Sequence, residues 1–324
     1  MPRLSKLDDV LFPVEEHPIF VSIKDQFSDR RLPVPDKKAI VNASNHRVLG
    51  VVSRAYRLVS NREALEMARE CCRTVFPETR EAEWEARAVD APGTAGYCCI
   101  DLAHNSSALD FSVVPPDQRP DVFGPFIRVT NSYNALRALS FDIGFFRKVC
   151  KNGMILPETI ITFKFTHLRR DIGEKIEFTV AQDKLIKFRA VFSESMTGLR
   201  NCQVPRLKFD PLIRGVLALR PPQRMELKSR EAEAWRDLGV HLGEMSDRYA
   251  SELGENAYAA FNTITEFASH PPDNRCVHRD RHSFQRLAGA WLTDFTPRCR
   301  RHDFKLDEYL MELAATPPET SIKQ

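Results

Sequence analysis

The stretch FIRVTNSYNALRALSFDIGFFRKVCKNGMIL, residues 126–156, decides the fold of this chain. In its second half an apolar series, Leu139, Phe141, Ile143 and Phe145, alternates with the series Ser140, Asp142, Gly144 and Phe146. A period of two places the two series on opposite faces of a β-strand. Residues 126–131 are rich in aromatic and β-branched side chains, which favour another strand. Ser132-Tyr133-Asn134 between the two runs predicts a hairpin turn.

A third strand is expected downstream of this hairpin. Asn152 and Gly153 both tolerate a positive φ, so the pair predicts a second turn. Within residues 159–166, Ile161, Phe163 and Phe165 alternate with Thr162, Lys164 and Thr166. The three runs together predict an antiparallel meander of at least three strands.

Several short segments of the chain resemble one protein family. Asn131-Ser132-Tyr133 is followed by Arg147-Lys148-Val149-Cys150-Lys151-Asn152, and the flanking pieces are GVVSRAY at residues 50–56 and YAAFNTITE at residues 258–266. On these segments the chain resembles, over about residues 45–295, the phage- and plasmid-encoded family of unknown function often labelled phage/plasmid-like proteins. One departure is Gly153, where many relatives carry Thr. The resemblance implies a mobile genetic element, and it implies no particular activity.

Composition predicts a globular protein without an export or membrane segment. The chain has 324 residues, of which 43% are hydrophobic, enough to build a core. No run of 18 apolar residues occurs, and the N-terminal MPRLSKLDDVLF lacks the apolar region of a signal peptide. The eight cysteines are irregularly spaced and do not suggest a disulfide framework. Reduced thiols and the cytoplasm of a prokaryotic host are therefore expected.

The order of the predicted elements divides the chain into four parts. They are an extended N-terminal arm at residues 1–36, an α+β sheet core at 37–222, a helical C-terminal part packed on that core at 223–316, and a tail at 317–324. Strands that precede helices in this way predict an α+β fold with an antiparallel β-sheet core and packed helices.

Local patterns place individual elements within these parts. Residues 38–42 and 48–53 flank a turn and predict a hairpin. Ser60 and Glu63 form a capping box that starts a helix over about residues 62–75. Helical periodicity further predicts helices over residues 230–252, 256–269, 283–292 and 306–315.

Positive charge is concentrated in one part of the chain. Residues 147–230 contain 18 Lys and Arg against 8 Asp and Glu, a net charge of +10, whereas the whole chain carries only +3. Charge gathered in this way favours phosphate binding, and interleaved aromatic residues are typical of platforms for single-stranded bases. The alternative interpretation is a solvated basic surface over core phenylalanines. The candidate nucleic-acid-binding residues are Arg147, Lys148, Lys151, Asn152, Arg169 and Arg170.

A second candidate site is a cysteine and histidine cluster near the C-terminus. Its members are Cys276, His278, Cys299 and His302, with His282 between them. Thiolate and imidazole groups in two close pairs are suitable zinc ligands. Cys-x-His is an unusual spacing, however, and histidines among arginines are also typical of a basic surface. The four residues are therefore weak metal candidates, and the sequence predicts no metal and no cofactor.

Two further polar groups have both a chemical and a structural interpretation. His167, with Asp171 nearby, follows a predicted strand and suits general acid–base chemistry, or else it is a strand-end histidine held by hydrogen bonds. No nucleophile motif accompanies it. Asn262, Thr265 and Glu266 share one face of a predicted helix. There they either contact a partner or include a buried Asn that fixes the helix to the sheet.

Three functional hypotheses follow. The first is a non-enzymatic nucleic-acid-binding accessory protein of a phage or plasmid-like element, active in recombination, replication or DNA protection, with single-stranded DNA favoured over duplex. The second is an interaction protein that binds a host or phage protein, such as a host defence or replication protein, through an exposed apolar or acidic patch. The third is a metal-dependent enzyme built on the cysteine and histidine cluster. No membrane partner is expected.

Overall fold

The computed structural model describes residues 3–24, 29–105, 111–113, 121–148, 153–155, 162–165, 167, 192, 194–222 and 229–315. Within them the chain is an α+β protein, as the sequence predicts, with two antiparallel sheets and a helical C-terminal region. The strands are β1 (Val14–Lys24), β2 (Asp29–Asn42), β3 (Arg47–Ser53), β4 (Trp84–Asp90), β5 (Tyr97–His104), β6 (Phe111–Val113), β7 (Asp121–Ser132), β8 (Leu139–Arg147), β9 (Gly153–Ile155) and β10 (Thr162–Phe165).

The large sheet has the strand order β10-β8-β7-β5-β4, with β6 paired to β7 and β9 paired to β8. β7 and β8 form the predicted hairpin, in which Ile127 lies opposite Ile143. β10 pairs antiparallel with the first half of β8, so the predicted meander is confirmed. Gly153 was expected in a turn but is the first residue of β9, opposite Phe146. The short β10 leaves the second half of β8 uncovered, and β9 fills that position.

The small sheet has the order β1-β2-β3 and includes the predicted hairpin of β2 with β3. Residues 29–36, expected in the N-terminal arm, belong to β2, so the boundary expected at residue 36 falls within a strand. Pro35 lies where the register of β1 against β2 shifts, between the pairs Pro18–Lys38 and Phe20–Pro33. Such an irregularity accommodates a proline within a strand.

The helices are α1 (Asn61–Val75), α2 (Phe209–Val216), α3 (Arg230–Leu253), α4 (Ala257–Ser269), α5 (Arg281–Cys299) and α6 (Leu306–Ala315), and residues 194–201 are also helical. α1 starts at the predicted capping box, where Ser60 Oγ accepts from the Glu63 amide at 3.1 Å and Glu63 Oε2 accepts from the Ser60 amide at 2.7 Å. α5 is longer than the predicted 283–292, because Asp280 caps a start at Arg281 and the helix continues to Cys299 with Pro297 in its last turn. Of the described helices, none is both long and apolar enough to cross a membrane.

Both faces of the large sheet are buried. The face with Ile127, Phe141 and Ile143 packs against α1, and the Phe192 ring contacts the Phe145 ring at the far end of β8. The first turns of α5 cover the opposite face. α2 packs with α4 and α6, so the helical part begins before residue 223, its predicted start.

Candidate functional site

Two of the short segments quoted from the sequence, residues 50–56 and 131–133, meet where the two sheets join. The Tyr56 hydroxyl donates a hydrogen bond to the Ser132 carbonyl. The Tyr133 hydroxyl accepts one from the Asn61 amide at 2.8 Å, at the start of α1. Gly50 packs so closely that a Cβ there would lie 2.4 Å from the Tyr133 carbonyl oxygen. These segments therefore hold the small sheet, the large sheet and α1 together.

The predicted nucleic-acid-binding rim lies only partly within the described residues. Arg147 ends β8, and its guanidinium donates to Asn262 Oδ1 at 3.1 Å. The backbone amide of Lys148 donates to the Val122 carbonyl at 2.8 Å. The other four members, Lys151, Asn152, Arg169 and Arg170, lie outside the described residues. Nucleic-acid binding by these six residues stays a prediction.

Asn262 is buried and makes contacts on two sides. Its amide donates to the Tyr258 carbonyl at 2.8 Å, and its Oδ1 accepts from Arg147. On the same helix the Thr265 hydroxyl donates to the Asn262 carbonyl at 3.1 Å. The Glu266 carboxylate accepts from the hydroxyl of Tyr249 in α3 at 2.6 Å. Of the two interpretations of this group, these contacts support the buried Asn that fixes α4 to the sheet.

The structure does not bring the cysteine and histidine candidates together. Cys276 is buried with its thiol directed at the Glu231 carbonyl in α3, at 3.7 Å. Cys299 interacts with Cys202 instead of with Cys276, and His278 and His302 are exposed. Within the part of the chain that the structure describes, no group of three or more Cys, His, Asp or Glu side chains is arranged to hold a metal ion. The metal-dependent hypothesis is therefore left without a site there.

His167 packs as a structural histidine. Its Nδ1–H donates to the Arg57 carbonyl at 3.0 Å, and its ring stacks on Tyr56 with centroids 4.5 Å apart. Burial lowers its pKa. The expected acidic neighbour, Asp171, lies outside the described residues. The contacts of His167 fit the hydrogen-bonded, strand-end interpretation.

A row of charged side chains crosses the face of the large sheet that α5 covers. Asp101 of β5 lies opposite Arg128 of β7, which lies opposite Asp142 of β8, and all three are buried. The next row on the same face is also polar and consists of Cys99, Thr130 and Ser140. Taken alone, each strand shows the alternation of a sheet with one solvated face. Here that second face is a buried polar layer.

Arginines compensate the carboxylates of this layer from within the sheet and from α5. Arg128 holds Asp101 with two nitrogens, and its Nη2 donates to Oδ2 at 2.6 Å. Arg281 of α5 adds a contact to Asp101 at 3.3 Å, and Arg286 donates to Asp142 at 2.5 Å. Burial alone would lower the pKa of Arg128, but Asp101 raises it above its ordinary value, so the guanidinium stays charged. The layer is therefore held by ion pairs.

Four arginines border the polar layer, and we refer to Arg87, Arg137, Arg281 and Arg286 as the arginine face. The guanidinium carbon of Arg87 lies 3.8 Å from the centroid of the Phe146 ring, and that of Arg137 lies 4.4 Å from the Tyr97 ring. Arg137 also pairs with Asp280, the N-cap residue of α5. The side chains of three of these arginines are 23–26% exposed, and Arg87 is more exposed. The arginine face is thus held by carboxylates and aromatic rings, and each of its side chains is partly exposed to solvent.

Arginines around the arginine face act on two histidines. His282, buried beneath it, has a pKa well below its ordinary value because of burial and then of nearby arginines, first Arg128. His270, at the end of α4, has its pKa lowered by burial and then by Arg281, while Glu266 acts in the opposite direction. Both imidazoles are therefore neutral at pH 7 and add no charge of their own. Such a surface suits an anionic ligand.

Comparison with known proteins assigns the chain to a family without assigning a function. No curated protein and no solved structure matches the chain. The model of a family described as a domain of unknown function (DUF932) matches residues 48–291, which is well over half of the chain. This range contains the polar layer, the arginine face and the two segments that join the sheets. The chain therefore belongs to the DUF932 family.

Proposed function

We propose that this chain is a non-enzymatic nucleic-acid-binding accessory protein and that nucleic acid lies on the arginine face. The observation that supports it is the convergence of Arg87, Arg137, Arg281 and Arg286 over one face of the large sheet, two of them against aromatic rings. The proposed role is recombination, replication or DNA protection in the cytoplasm of a cell that carries a phage or plasmid-like element. The mobile-element origin is supported only by the resemblance of the short segments.

Arginine side chains held in this way are suited to nucleic acid. A guanidinium is planar, remains charged and pairs with phosphate through two parallel hydrogen bonds. Because Arg281 and Arg286 are fixed by Asp101 and Asp142, little side-chain freedom is lost when they bind. Arg87 stacks on the Phe146 ring, and an arginine–aromatic pair of this kind is a platform that an unstacked base can extend. Single strands, whose bases can leave the stack, are therefore favoured over duplex.

Fluorescence anisotropy with a labelled single-stranded oligonucleotide, and with its duplex, tests this proposal over a range of salt concentrations. Each phosphate contact on a single strand adds about −0.7 to the slope of log binding constant against log salt. Arg87→Ala is expected to weaken binding and to flatten the slope by about one contact. The matched control is Arg80→Ala. The Arg80 side chain is 88% exposed, and the residue precedes β4, the strand that contains Arg87. Equal slopes for the two variants, or no binding by the wild-type protein, contradict the proposal.

The predicted rim supplies a second comparison. If the rim binds phosphates, Lys148→Ala combined with Lys151→Ala flattens the slope by about one to two contacts and leaves sequence preference unchanged. A change in slope for Arg87→Ala alone places the nucleic acid on the arginine face. A change for the lysine variant alone places it on the rim and makes the arginine face a packing layer.

A second candidate function, binding to a host or phage protein, has an observation of its own. The outer part of the β1–β2 hairpin carries apolar side chains that are 46–51% exposed, namely Phe20, Val21, Ile23 and Leu32. Val21 lies opposite Leu32, and Ile23 lies on the same face, so these three form a patch across both strands, whereas Phe20 lies on the opposite face. Exposed apolar patches are typical of protein contacts. If the wild-type protein binds no oligonucleotide at low salt, this function takes first place. Its test is co-purification from a host lysate, which Val21→Lys is expected to abolish.

A further inference from the structure

A cleft separates the helical residues 194–201 from the end of α5. Its volume is about 450 Å³, and Cys202 and Cys299 both line it. Arg300 spans the cleft, because its guanidinium pairs with the Glu194 carboxylate at 3.5 Å and donates to the Glu194 carbonyl. Two thiols from distant parts of the sequence therefore share a preformed site.

The two thiols interact with each other and differ in acidity. Their interaction raises the pKa of Cys202 and lowers the pKa of Cys299, whose thiol also donates to the Thr296 carbonyl at 3.3 Å. Burial acts on Cys299 in the opposite direction, and the neighbouring Arg300 lowers its pKa further. Both cysteines are partly exposed, so small reactants have access to them. Cys299 is thus arranged as a nucleophile and Cys202 as the thiol beside it.

The other described cysteines have the opposite properties. They are buried, and they are Cys71, Cys72, Cys98, Cys99 and Cys276. Burial raises the pKa of each of them, to about 11 for Cys99. Because the thiolate is the reactive form of cysteine, these five are poor nucleophiles at neutral pH.

We propose that Cys202 and Cys299 form a reversible oxidation site whose oxidising substrate is a hydroperoxide. The Cys299 thiolate attacks the outer oxygen, the O–O bond breaks, and the released alkoxide or hydroxide takes up a proton, which leaves Cys299 as a sulfenic acid. The Cys202 sulfur then attacks the Cys299 sulfur, hydroxide leaves and combines with the thiol proton as water, and a disulfide forms. The hydroperoxide gains the two electrons that the two thiols lose. This site is independent of nucleic-acid binding.

The disulfide would join the end of the helical residues 194–201 to the end of α5. The bond closes a loop of about 100 residues, which restricts the unfolded chain and so favours the folded state. A dithiol reductant reverses it by thiol–disulfide exchange. The oxidised protein is therefore expected to unfold at a higher urea concentration than the reduced protein.

The test is a titration of the full chain with hydrogen peroxide, followed by trapping with N-ethylmaleimide and peptide mapping without reductant. The expected product is a disulfide between the peptides of Cys202 and Cys299, which dithiothreitol removes. Cys202→Ser is expected to stop at the sulfenic acid, which dimedone labels at Cys299, and Cys299→Ser is expected to give neither product. Cys276→Ser is the matched control and should form the disulfide as the wild-type protein does.

Two results overturn the proposal. The first is a wild-type protein that is folded by circular dichroism and forms no disulfide between Cys202 and Cys299 under peroxide, whichever other thiols react. This result is obtained on the wild-type protein and does not depend on any variant folding. The second is equal dimedone labelling of Cys299 in the wild-type protein and in Cys202→Ser, which removes Cys202 from the reaction.

Discussion

The two faces of the large sheet are built from the same strands, and around the middle of β7 and β8 they are closed in opposite ways. On the face under α1, Phe141 and Ile143 are fully buried among apolar side chains. On the face under α5, Asp142 is just as buried, and so is Arg128 on the neighbouring strand. One strand therefore buries a hydrocarbon ring and a carboxylate at successive positions.

The two faces contribute differently to the stability of the fold. Apolar burial stabilises a fold wherever surface is removed from water, so the face under α1 supplies stability. A buried ion pair recovers little more than the cost of removing its charges from water, so the polar layer under α5 adds little net stability. It does require specific partners, and it fixes the arginine face above it. Charged groups that a sequence retains in such a costly position are candidates for function.

The largest expected effect is on the apolar face. Phe141→Ala removes a fully buried ring, and such a substitution lowers the free energy of unfolding by about 4 kcal/mol. Urea unfolding followed by circular dichroism measures this loss. The salt slope of nucleic-acid binding should stay unchanged under folding conditions, because no charge is altered. A loss below about 1 kcal/mol shows that this face is not the stabilising one.

A smaller effect is expected when the polar layer is broken. Asp101→Leu leaves Arg128 buried without its carboxylate, which costs about 3 kcal/mol in urea unfolding. Asp101→Leu combined with Arg128→Met removes both charges and is expected to return to within about 1 kcal/mol of the wild-type protein. A double variant that is stable but binds the oligonucleotide more weakly shows that the ion pair supports binding more than stability. A double variant less stable than the single one shows that the ion pair itself stabilises the fold.

The strands of the large sheet were predictable because alternation is a local property of the sequence. Leu139, Phe141 and Ile143 therefore indicated the correct face and the correct hairpin. The burial of Ser140 and Asp142 was not predictable, because these residues match a solvated face until a helix that begins at residue 281 lies over them. The matching charges of Asp101, Arg128 and Asp142 become visible only once the strands are paired.

The arginine face was not predictable for a related reason. Net charge counted along the chain favoured residues 147–230, whereas the four members of the arginine face all lie outside that window. These four arginines are far apart in the sequence, and only the fold brings their charges together. Spacing likewise paired Cys299 with His302, whereas the structure pairs it with Cys202, which is too distant in the sequence for any local motif to suggest.

The smallest expected effect is a pH dependence confined to the polar layer. The folded protein holds His282 neutral, since burial and the arginines around it lower its pKa, whereas the unfolded chain protonates it near the ordinary value of about 6.5. This contribution to stability is therefore fully present above about pH 6.5 and is lost as the pH falls below it. In the wild-type protein this histidine lowers the free energy of unfolding by up to about 1.4 kcal/mol for each pH unit below that value, and His282→Asn should abolish this part of the loss. Urea unfolding at pH 7 and below measures it.

The matched control lies on the other face of the sheet. Ile143→Val shortens a fully buried apolar side chain and changes no charge, so it should lower stability by about 1 kcal/mol equally at every pH. His167 and His270 also have lowered pKa values and remain in both variants, so some acid sensitivity persists in each. If His282→Asn and Ile143→Val show the same pH dependence as the wild-type protein, His282 is not held neutral. Burial and the arginines around His282 would then not lower its pKa, and the electrostatic contrast between the two faces would lose this support.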